Sequence, residues 1–155
     1  MNNAVLMTAA QDIVVNDVFP HAPETIWRAL TTSTLMARWL GMVPTGFNLA
    51  ANTHFTFQTK PAGAWDGVID CQVLEVVPNK RLAFSWKGGH EENIGYGSRL
   101  DTVVTWTLSR VENGTRLCLV HSGFIKPNND SALKLMGEAW IKVVFNIGNV
   151  AGLLH

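Results

Sequence analysis

One histidine of the sequence has a setting in which it could take part in chemistry. His121 lies in TRLCLVHSGF (115–124), a segment rich in apolar residues. An imidazole with an ordinary pKa titrates near neutral pH, so it can move protons or orient a bound molecule. The alternative is a structural histidine whose polar atoms are all hydrogen-bonded inside the protein. The residue type and its place in the segment leave both interpretations open.

The other titratable side chains form no recognisable catalytic or metal-binding motif. The remaining histidines are scattered, and the sequence contains no His-x-x-x-His and no Cys-x-x-Cys pair. Nucleophile elbows, phosphate-binding glycine loops and dinucleotide fingerprints are also missing from the sequence. We therefore expect no metal, no cofactor and no catalytic residue.

A glycine-rich, charged stretch, KGGHEENIGYGSRLD (87–101), predicts a loop at the mouth of a pocket. Its polar side chains are candidates for contact with the polar group of a ligand. Buried carboxylates in an apolar chamber would have raised pKa values and could move protons. The candidates are Glu91, Glu92, Tyr96, Arg99 and Asp101.

Large aromatic side chains are frequent, with six tryptophans and seven phenylalanines in 155 residues. Two interpretations fit this pattern. The rings form either a solid core or the wall of a small-molecule pocket, which is usually apolar and aromatic. Only a cavity volume distinguishes them. The aromatic residues on segments expected to face the interior are Trp39, Phe57, Phe84, Trp86, Trp106 and Trp140.

Residue patterns predict the elements that position these side chains. Residues 12–19 are rich in β-branched residues and predict a strand. Pro23 and Glu24 suit the start of a short helix, and Ser33 suits the N-cap of a second helix that ends at Gly41. Alternating or apolar runs then predict further strands, with Asn113–Gly114 as a hairpin turn. Those runs are 53–59, 66–77, 81–86, 102–108 and 115–124.

The last segment changes to a helical period. From Asp130 onward, apolar residues that include Met136 and Trp140 recur at steps of three and four. The pattern predicts an amphipathic helix of about 20–25 residues, or about 30–37 Å at 1.5 Å per residue. Its glycines permit either close backbone approach or fraying of the last turns. Together the elements predict an α+β fold in which one long helix covers the apolar face of an antiparallel sheet.

Composition limits the classes of partner. Twelve basic and twelve acidic residues balance, and no long run of either sign appears, so we expect no nucleic-acid partner. No apolar run reaches the roughly 20 residues that span a bilayer, and the first residues lack the features of a signal peptide. Cys71 and Cys118 are predicted to be buried free thiols. We expect a cytoplasmic protein with one domain over 1–155, loosely ordered over 1–11.

Several motifs resemble one branch of the START-like (SRPBCC) superfamily, the heat shock protein 90 ATPase activator homologue 1-like family. They are VFPHAPETIWRALTTSTLMARWL, VLEVVPNKRLAFSW, TVVTWTL, ENGTRLCLVHSG and GEAW, spread over about residues 12 to 145. The resemblance implies a helix-grip (START/Bet v 1-like) fold. In that fold a curved antiparallel sheet of about six to seven strands wraps around a long C-terminal helix, with two short helices after the first strand.

The resemblance also implies a function. Similar proteins mostly bind lipophilic small molecules, one relative stimulates a chaperone ATPase, and others guide polyketide cyclisation. We expect this chain to bind a small hydrophobic or amphipathic molecule between the sheet and the C-terminal helix. The alternatives are a protein-interaction module that acts on a chaperone-type partner, and a cyclase-like or aromatase-like enzyme. A homodimer is a further candidate assembly. A binding protein is favoured over an enzyme. The expected ligand-binding residues are Trp39, Phe57, Phe84, Trp86, Trp106, His121, Met136 and Trp140.

Overall fold

The computed structural model describes residues 11–154. The expectation for residues 1–10 lies outside the described residues, and Gln11, which was grouped with them, begins the first strand. The elements are β1 (Gln11–Phe19), α1 (Pro23–Thr31), α2 (Ser33–Leu40), β2 (His54–Gln58), β3 (Val68–Val77), β4 (Arg81–Gly88), β5 (Leu100–Val111), β6 (Gly114–Phe124) and α3 (Asp130–Ala151).

The strands form one open, curved antiparallel sheet. Their order is β1-β6-β5-β4-β3-β2, so the first strand pairs with the last and every other neighbour is a sequential hairpin. A register irregularity between Val73 and Glu75 interrupts the pairing of β3 with β4, and such bulges bend a strand. Helix α3 packs against β1, β6 and both short helices. The predicted α+β helix-grip fold is confirmed, with six strands.

The two short helices begin and end close to the predicted residues, with one correction. Pro23 occupies the first turn of α1 beside Glu24, and Gly41 ends α2 in the left-handed region with φ +83°. The predicted N-cap Ser33 is instead the first residue of α2. Thr32 occupies the cap position, and its hydroxyl donates to the Arg28 carbonyl at 2.7 Å rather than capping α2.

The β5–β6 hairpin turns one residue earlier than predicted. Gly114 already pairs with Val111, so the turn consists of Glu112 and Asn113. Asn113 has φ +64°, a conformation that asparagine tolerates better than most residues. Glycine is required at position 114 because a Cβ there would overlap the backbone carbonyl of Phe19.

Helix α3 has 22 residues, within the predicted length. Gly148 lies against the ring of Phe19 in β1, and a Cβ at this position would overlap that ring. This glycine therefore permits close approach of α3 to the edge strand, one of the two roles considered from the sequence. The buried side chains of α3 belong to Trp140, Val144, Ile147, Val150 and Ala151.

The cysteines agree only in part with the prediction of two buried free thiols. Both are free, but only Cys71 is buried, and Cys118 is partly exposed. Burial, and to a lesser degree the neighbouring charge of Asp70, raises the pKa of the Cys71 thiol above its ordinary value. None of the helices within residues 11–154 is long and apolar enough to cross a lipid bilayer.

Candidate functional site

A cavity of about 190 Å³ lies where one end of the sheet meets two loops and the first turns of α3. The sheet contributes Ile69, Trp86, Gly88 and Leu100. The β2–β3 loop contributes Thr59 and Trp65, and the β4–β5 loop contributes Gly89, Tyr96, Gly97 and Ser98. Helix α3 supplies Ala132, Leu135 and Met136, and Met42 follows α2. No charged side chain is among these residues.

Aromatic rings form much of the cavity wall. Trp86 is buried because the whole run from Leu82 to Trp86 lies inside the protein. Trp65 and Tyr96 face each other from the two loops, with ring centroids 6.0 Å apart. The Trp65 indole N–H donates to the Val68 carbonyl at 3.0 Å, which holds this ring against the start of β3.

The side chain of Asn93, in the β4–β5 loop, forms hydrogen bonds to the β2–β3 loop. Its Nδ2 donates to the Ala62 carbonyl at 2.7 Å, and its Oδ1 accepts from the Ala64 backbone N–H at 3.1 Å. Gly97 lies beside the same amide, where a Cβ would be too close to Asn93 Nδ2. The β2–β3 loop therefore has a fixed position relative to the β4–β5 loop.

The Asn129 side chain is buried. It forms hydrogen bonds that join the β4–β5 loop to the segment preceding α3. Its Nδ2 donates to Ser98 Oγ at 3.1 Å and to the Arg99 carbonyl at 2.9 Å. Its Oδ1 accepts from the Ile125 backbone N–H at 2.8 Å. The amide thus joins two of the cavity walls, so the chamber is formed before any ligand enters.

Ser98 places the best-buried hydroxyl group in the cavity wall. The side chain is buried, and Oγ accepts its hydrogen bond from Asn129. Among the hydrogen bonds of residues 11–154, none uses the hydroxyl proton of Ser98. This proton is therefore free to donate to a ligand acceptor. Tyr96, by contrast, donates its phenolic O–H to the Lys60 carbonyl at 3.3 Å.

His121 is fully buried and hydrogen-bonded through both ring nitrogens. Trp140 Nε1 lies 3.0 Å from His121 Nδ1, and Thr102 Oγ1 lies 2.7 Å from His121 Nε2. An indole N–H can only donate, so Nδ1 accepts and Nε2 carries the proton. Thr102 accepts that proton and donates its own to the Trp86 carbonyl at 2.7 Å. The register explains the contact, because Thr102 lies diagonally across from His121 on the same face.

Burial lowers the pKa of His121 from 6.5 to about 3. The charged imidazolium would lose its water and gain no carboxylate partner, since its two partners are a hydroxyl and an indole N–H. The ring is therefore neutral at physiological pH. Both ring nitrogens are thus hydrogen-bonded inside the protein, as the structural alternative considered from the sequence requires.

Four of the six tryptophans form a packed cluster in the core. Trp106 lies edge-on to Trp39 and to Trp140, each at 5.7 Å between ring centroids. Trp140 in turn lies 5.8 Å from Trp86, the ring that also borders the cavity. Edge-to-face pairs of this kind stabilise by about 0.5–1.5 kcal/mol beyond area burial. Most of the aromatic residues that were expected to face the interior therefore pack against one another in the core.

Comparison with known proteins identifies the family. The family model described as "Activator of Hsp90 ATPase homolog 1-like protein" matches residues 20–149. The chain belongs to this family. The predicted resemblance is thereby confirmed. A search of curated proteins gives no match.

Several solved structures are similar to this chain. MLL2253 from Mesorhizobium loti is 32% identical, with a TM-score of 0.79 over 94% of this chain and 99% of that one. BH1534 from Bacillus halodurans is 24% identical, with a TM-score of 0.70 over 94% and 99%. A structure described as the Aha1 dimer from Colwellia psychrerythraea is 20% identical, with a TM-score of 0.71 over 92% and 97%. The last two show the fold alone.

In this member of the family, two of the eight expected ligand-binding residues border the cavity. They are Trp86 and Met136. The other six lie in the core, away from the cavity wall, and their expected role in binding stays a prediction. They are Trp39, Phe57, Phe84, Trp106, His121 and Trp140.

Of the loop residues proposed to meet a ligand head group, Tyr96 alone borders the cavity. Glu91, Arg99 and Asp101 line a second, open groove, which shares Ser98 with the cavity. The Asp101 side chain is 71% exposed and lies 3.7 Å from Lys87 Nζ, and Glu92 is also exposed. Within residues 11–154 no three His, Cys, Asp or Glu side chains come together as metal ligands would.

Several cavity residues were missed by the sequence analysis. Trp65 stands in KPAGAW (60–65), a glycine-containing stretch assigned to no element, where a large aromatic residue in a loop was the available signal. Met42 follows the glycine that ends α2, and Ser98 lies in the stretch 87–101 that was predicted to be a loop at a pocket mouth, although Ser98 itself was not named. Their convergence depends on the Asn93 and Asn129 hydrogen bonds, which join residues about thirty positions apart.

Proposed function

We propose that this protein binds a small hydrophobic molecule in the cavity between the sheet, the β4–β5 loop and the first turns of α3. The observation that supports the proposal is the uncharged, aromatic-walled chamber of about 190 Å³. Small-molecule sites are typically concave and mostly apolar, with a few polar groups that orient the ligand. Removing apolar ligand surface from water contributes about 25 cal/mol per Å² to affinity.

The arrangement of the walls favours binding because little has to be ordered when the ligand enters. Asn93 and Asn129 already hold the loops in place. A preformed site avoids the entropy cost of ordering loops and side chains. We assign the role of a carrier or sensor of the ligand, since the titratable His121 has both nitrogens engaged inside the protein.

A cavity-filling variant tests the proposal. Ala132 borders the cavity on α3, and Ala132→Leu adds three carbon atoms to its wall. Ala139 is exposed on the same helix outside the cavity, so Ala139→Leu is the matched control. Binding of naphthalene is followed by NMR through the indole N–H signal of Trp65. We expect binding to wild type and A139L, and at least tenfold weaker binding to A132L.

The opposite result would overturn the proposal. If naphthalene leaves the Trp65 signal unchanged in wild type, or binds A132L as tightly as A139L, the cavity is not a binding site. Thermal unfolding of both variants shows whether the fold is retained. A leucine that fills apolar space is expected to keep or raise the melting temperature.

The family description supports a second candidate, a protein that acts on a chaperone ATPase. The ATPase rate of an Hsp90-type chaperone with and without this protein tests that role, and an unchanged rate removes it. Light scattering in solution tests whether the chain forms a homodimer, as the Colwellia relative is described to do. A cytoplasmic location is part of the proposal, and fractionation of the source cells checks it.

A further inference from the structure

We propose that the cavity selects an uncharged aromatic molecule of one or two rings that carries one hydrogen-bond acceptor. This inference rests on the proposed binding function and adds the class of ligand. Four properties of the described walls support it: the volume of the chamber, its aromatic lining, the absence of charge, and one buried hydroxyl whose proton is free.

The volume limits the size of the ligand. An apolar cavity of about 150 Å³ holds benzene, and this one measures about 190 Å³. This volume corresponds to a substituted single ring or to two fused rings. The tryptophan cluster behind Trp86 leaves no continuation of the chamber into the core, because Trp140 packs on that ring at 5.8 Å.

The composition of the walls favours an aromatic ligand over an alkyl chain. Trp65, Trp86 and Tyr96 border the chamber, and aromatic pairs gain energy from edge-to-face and offset geometries. Met42 and Met136 add two thioether sulfurs, which make favourable contacts with aromatic rings. An alkyl chain gains burial but neither of these directional interactions.

The absence of charge in the walls disfavours ionic ligands. No lysine, arginine or carboxylate is among the lining residues. The charged pair Lys87 and Asp101, on the adjoining strands β4 and β5, lies on the exposed surface. A carboxylate ligand would therefore lose its water without gaining a counter-charge, which is costly in an apolar site.

Ser98 is the only buried residue among the three hydroxyl-bearing residues that line the cavity, Thr59, Tyr96 and Ser98, and its hydroxyl accounts for the single acceptor. It borders the cavity, is buried, and receives its hydrogen bond from Asn129 Nδ2 at 3.1 Å. This bond orients the serine oxygen and leaves its proton to donate. A ketone or ether oxygen on the ligand matches this donor, and a site that is built to hydrogen-bond discriminates against an analogue without the group.

The size limit is tested with naphthalene, phenanthrene, 1-dodecanol and 2-naphthoate as probes, using the Trp65 indole signal. Wild type is expected to bind naphthalene at least tenfold more tightly than the other three. Met136→Ala enlarges the chamber and is expected to bring phenanthrene within threefold of naphthalene. Met36→Ala, a buried methionine outside the cavity, is the matched control and is expected to keep the wild-type order.

The acceptor is tested with two probes of equal shape, acetophenone and α-methylstyrene, which differ in a carbonyl oxygen. Wild type is expected to bind acetophenone at least fivefold more tightly than α-methylstyrene. Ser98→Ala is expected to abolish that difference without weakening the binding of α-methylstyrene. Equal binding of the two probes by wild type would overturn the assignment of Ser98.

The outcomes separate this inference from the proposed function. Binding of 1-dodecanol or 2-naphthoate as tightly as naphthalene overturns the aromatic, uncharged class while the binding function stands. Binding of naphthalene by A132L as tightly as by wild type overturns the site itself, and the inference with it.

Discussion

The indole N–H of Trp140 in α3 donates to Nδ1 of His121 in β6 across 3.0 Å, with both rings buried. This bond joins the long helix to the centre of the sheet. It also fixes the histidine tautomer, which directs Nε2–H to Thr102. A polar network in the core is thereby complete, and buried networks of this kind stabilise only when every member is satisfied.

The first prediction concerns pH. The folded chain holds His121 neutral down to about pH 3, whereas the unfolded chain protonates it below about pH 6.5. Between these values the unfolded state binds the extra proton, so the free energy of unfolding falls as pH is lowered. Through the protonation of His121 alone, the equilibrium constant for unfolding rises by up to about tenfold for each unit by which the pH is lowered.

Urea unfolding of wild type and His121→Phe between pH 4 and pH 7.5 measures this effect. The variant lacks the titrating ring, so the stability difference between the two proteins is expected to shrink toward acid pH. A difference that stays constant over this range would contradict the neutral, buried histidine.

The second prediction concerns the Thr102 hydroxyl, which accepts from His121 and donates to the Trp86 carbonyl. Thr102→Val keeps the shape but leaves a buried donor and a buried acceptor unpaired. Each unpaired group costs about 1–3 kcal/mol. Thr102→Ser retains the hydroxyl and is the control. Chemical unfolding should place T102V clearly below T102S, and the reverse order would refute the network.

The third prediction uses two glycines of α3. Nothing lies within 4 Å of a Cβ built at Gly137, whereas one at Gly148 overlaps the Phe19 ring. Gly137→Ala is expected to stabilise the protein by up to about 1 kcal/mol, since alanine is the better helix former. Gly148→Ala is expected to destabilise it by about 1–3 kcal/mol through overpacking. Melting temperatures of the pair check the opposite signs.

The fourth prediction concerns the part of the cavity wall formed by the β4–β5 loop, which Asn129 holds in place through hydrogen bonds. Asn129→Ala removes its hydrogen bonds to Ser98, Arg99 and Ile125. Amide hydrogen exchange over 96–99 should accelerate, because local opening then costs less free energy. Asn128 is exposed and is the matched control. Unchanged exchange in N129A, or equal acceleration in Asn128→Ala, would show that the loop is held by other contacts.

The order of elements could be predicted from the sequence because local periodicity determines it. The α3 pattern, the short helices around Pro23 and the alternating strands each depend on residues a few positions apart. The ends of elements were less predictable. The hydroxyl of Thr32 bonds back to Arg28 instead of capping α2, and backbone pairing moves the hairpin turn to Glu112–Asn113.

The candidate site was predictable only in part. Trp86 and Met136 belong to segments whose apolar faces point inward, so both were expected at the cavity. Trp106 and Trp140 share that pattern but fill the core, because ring packing in three dimensions decides which apolar residues border empty space. Trp65 and Ser98 reach the cavity through long-range asparagine hydrogen bonds that no local pattern shows.

The chamber and the tryptophan cluster share a single ring, that of Trp86. Stability therefore depends mainly on one set of residues and ligand choice on another. Substitutions in the two loops and at the first turns of α3 alter the chamber while Trp39, Trp106 and Trp140 stay in contact. A scaffold divided in this way can diversify in specificity over evolution, or in a directed library, without first acquiring compensating mutations.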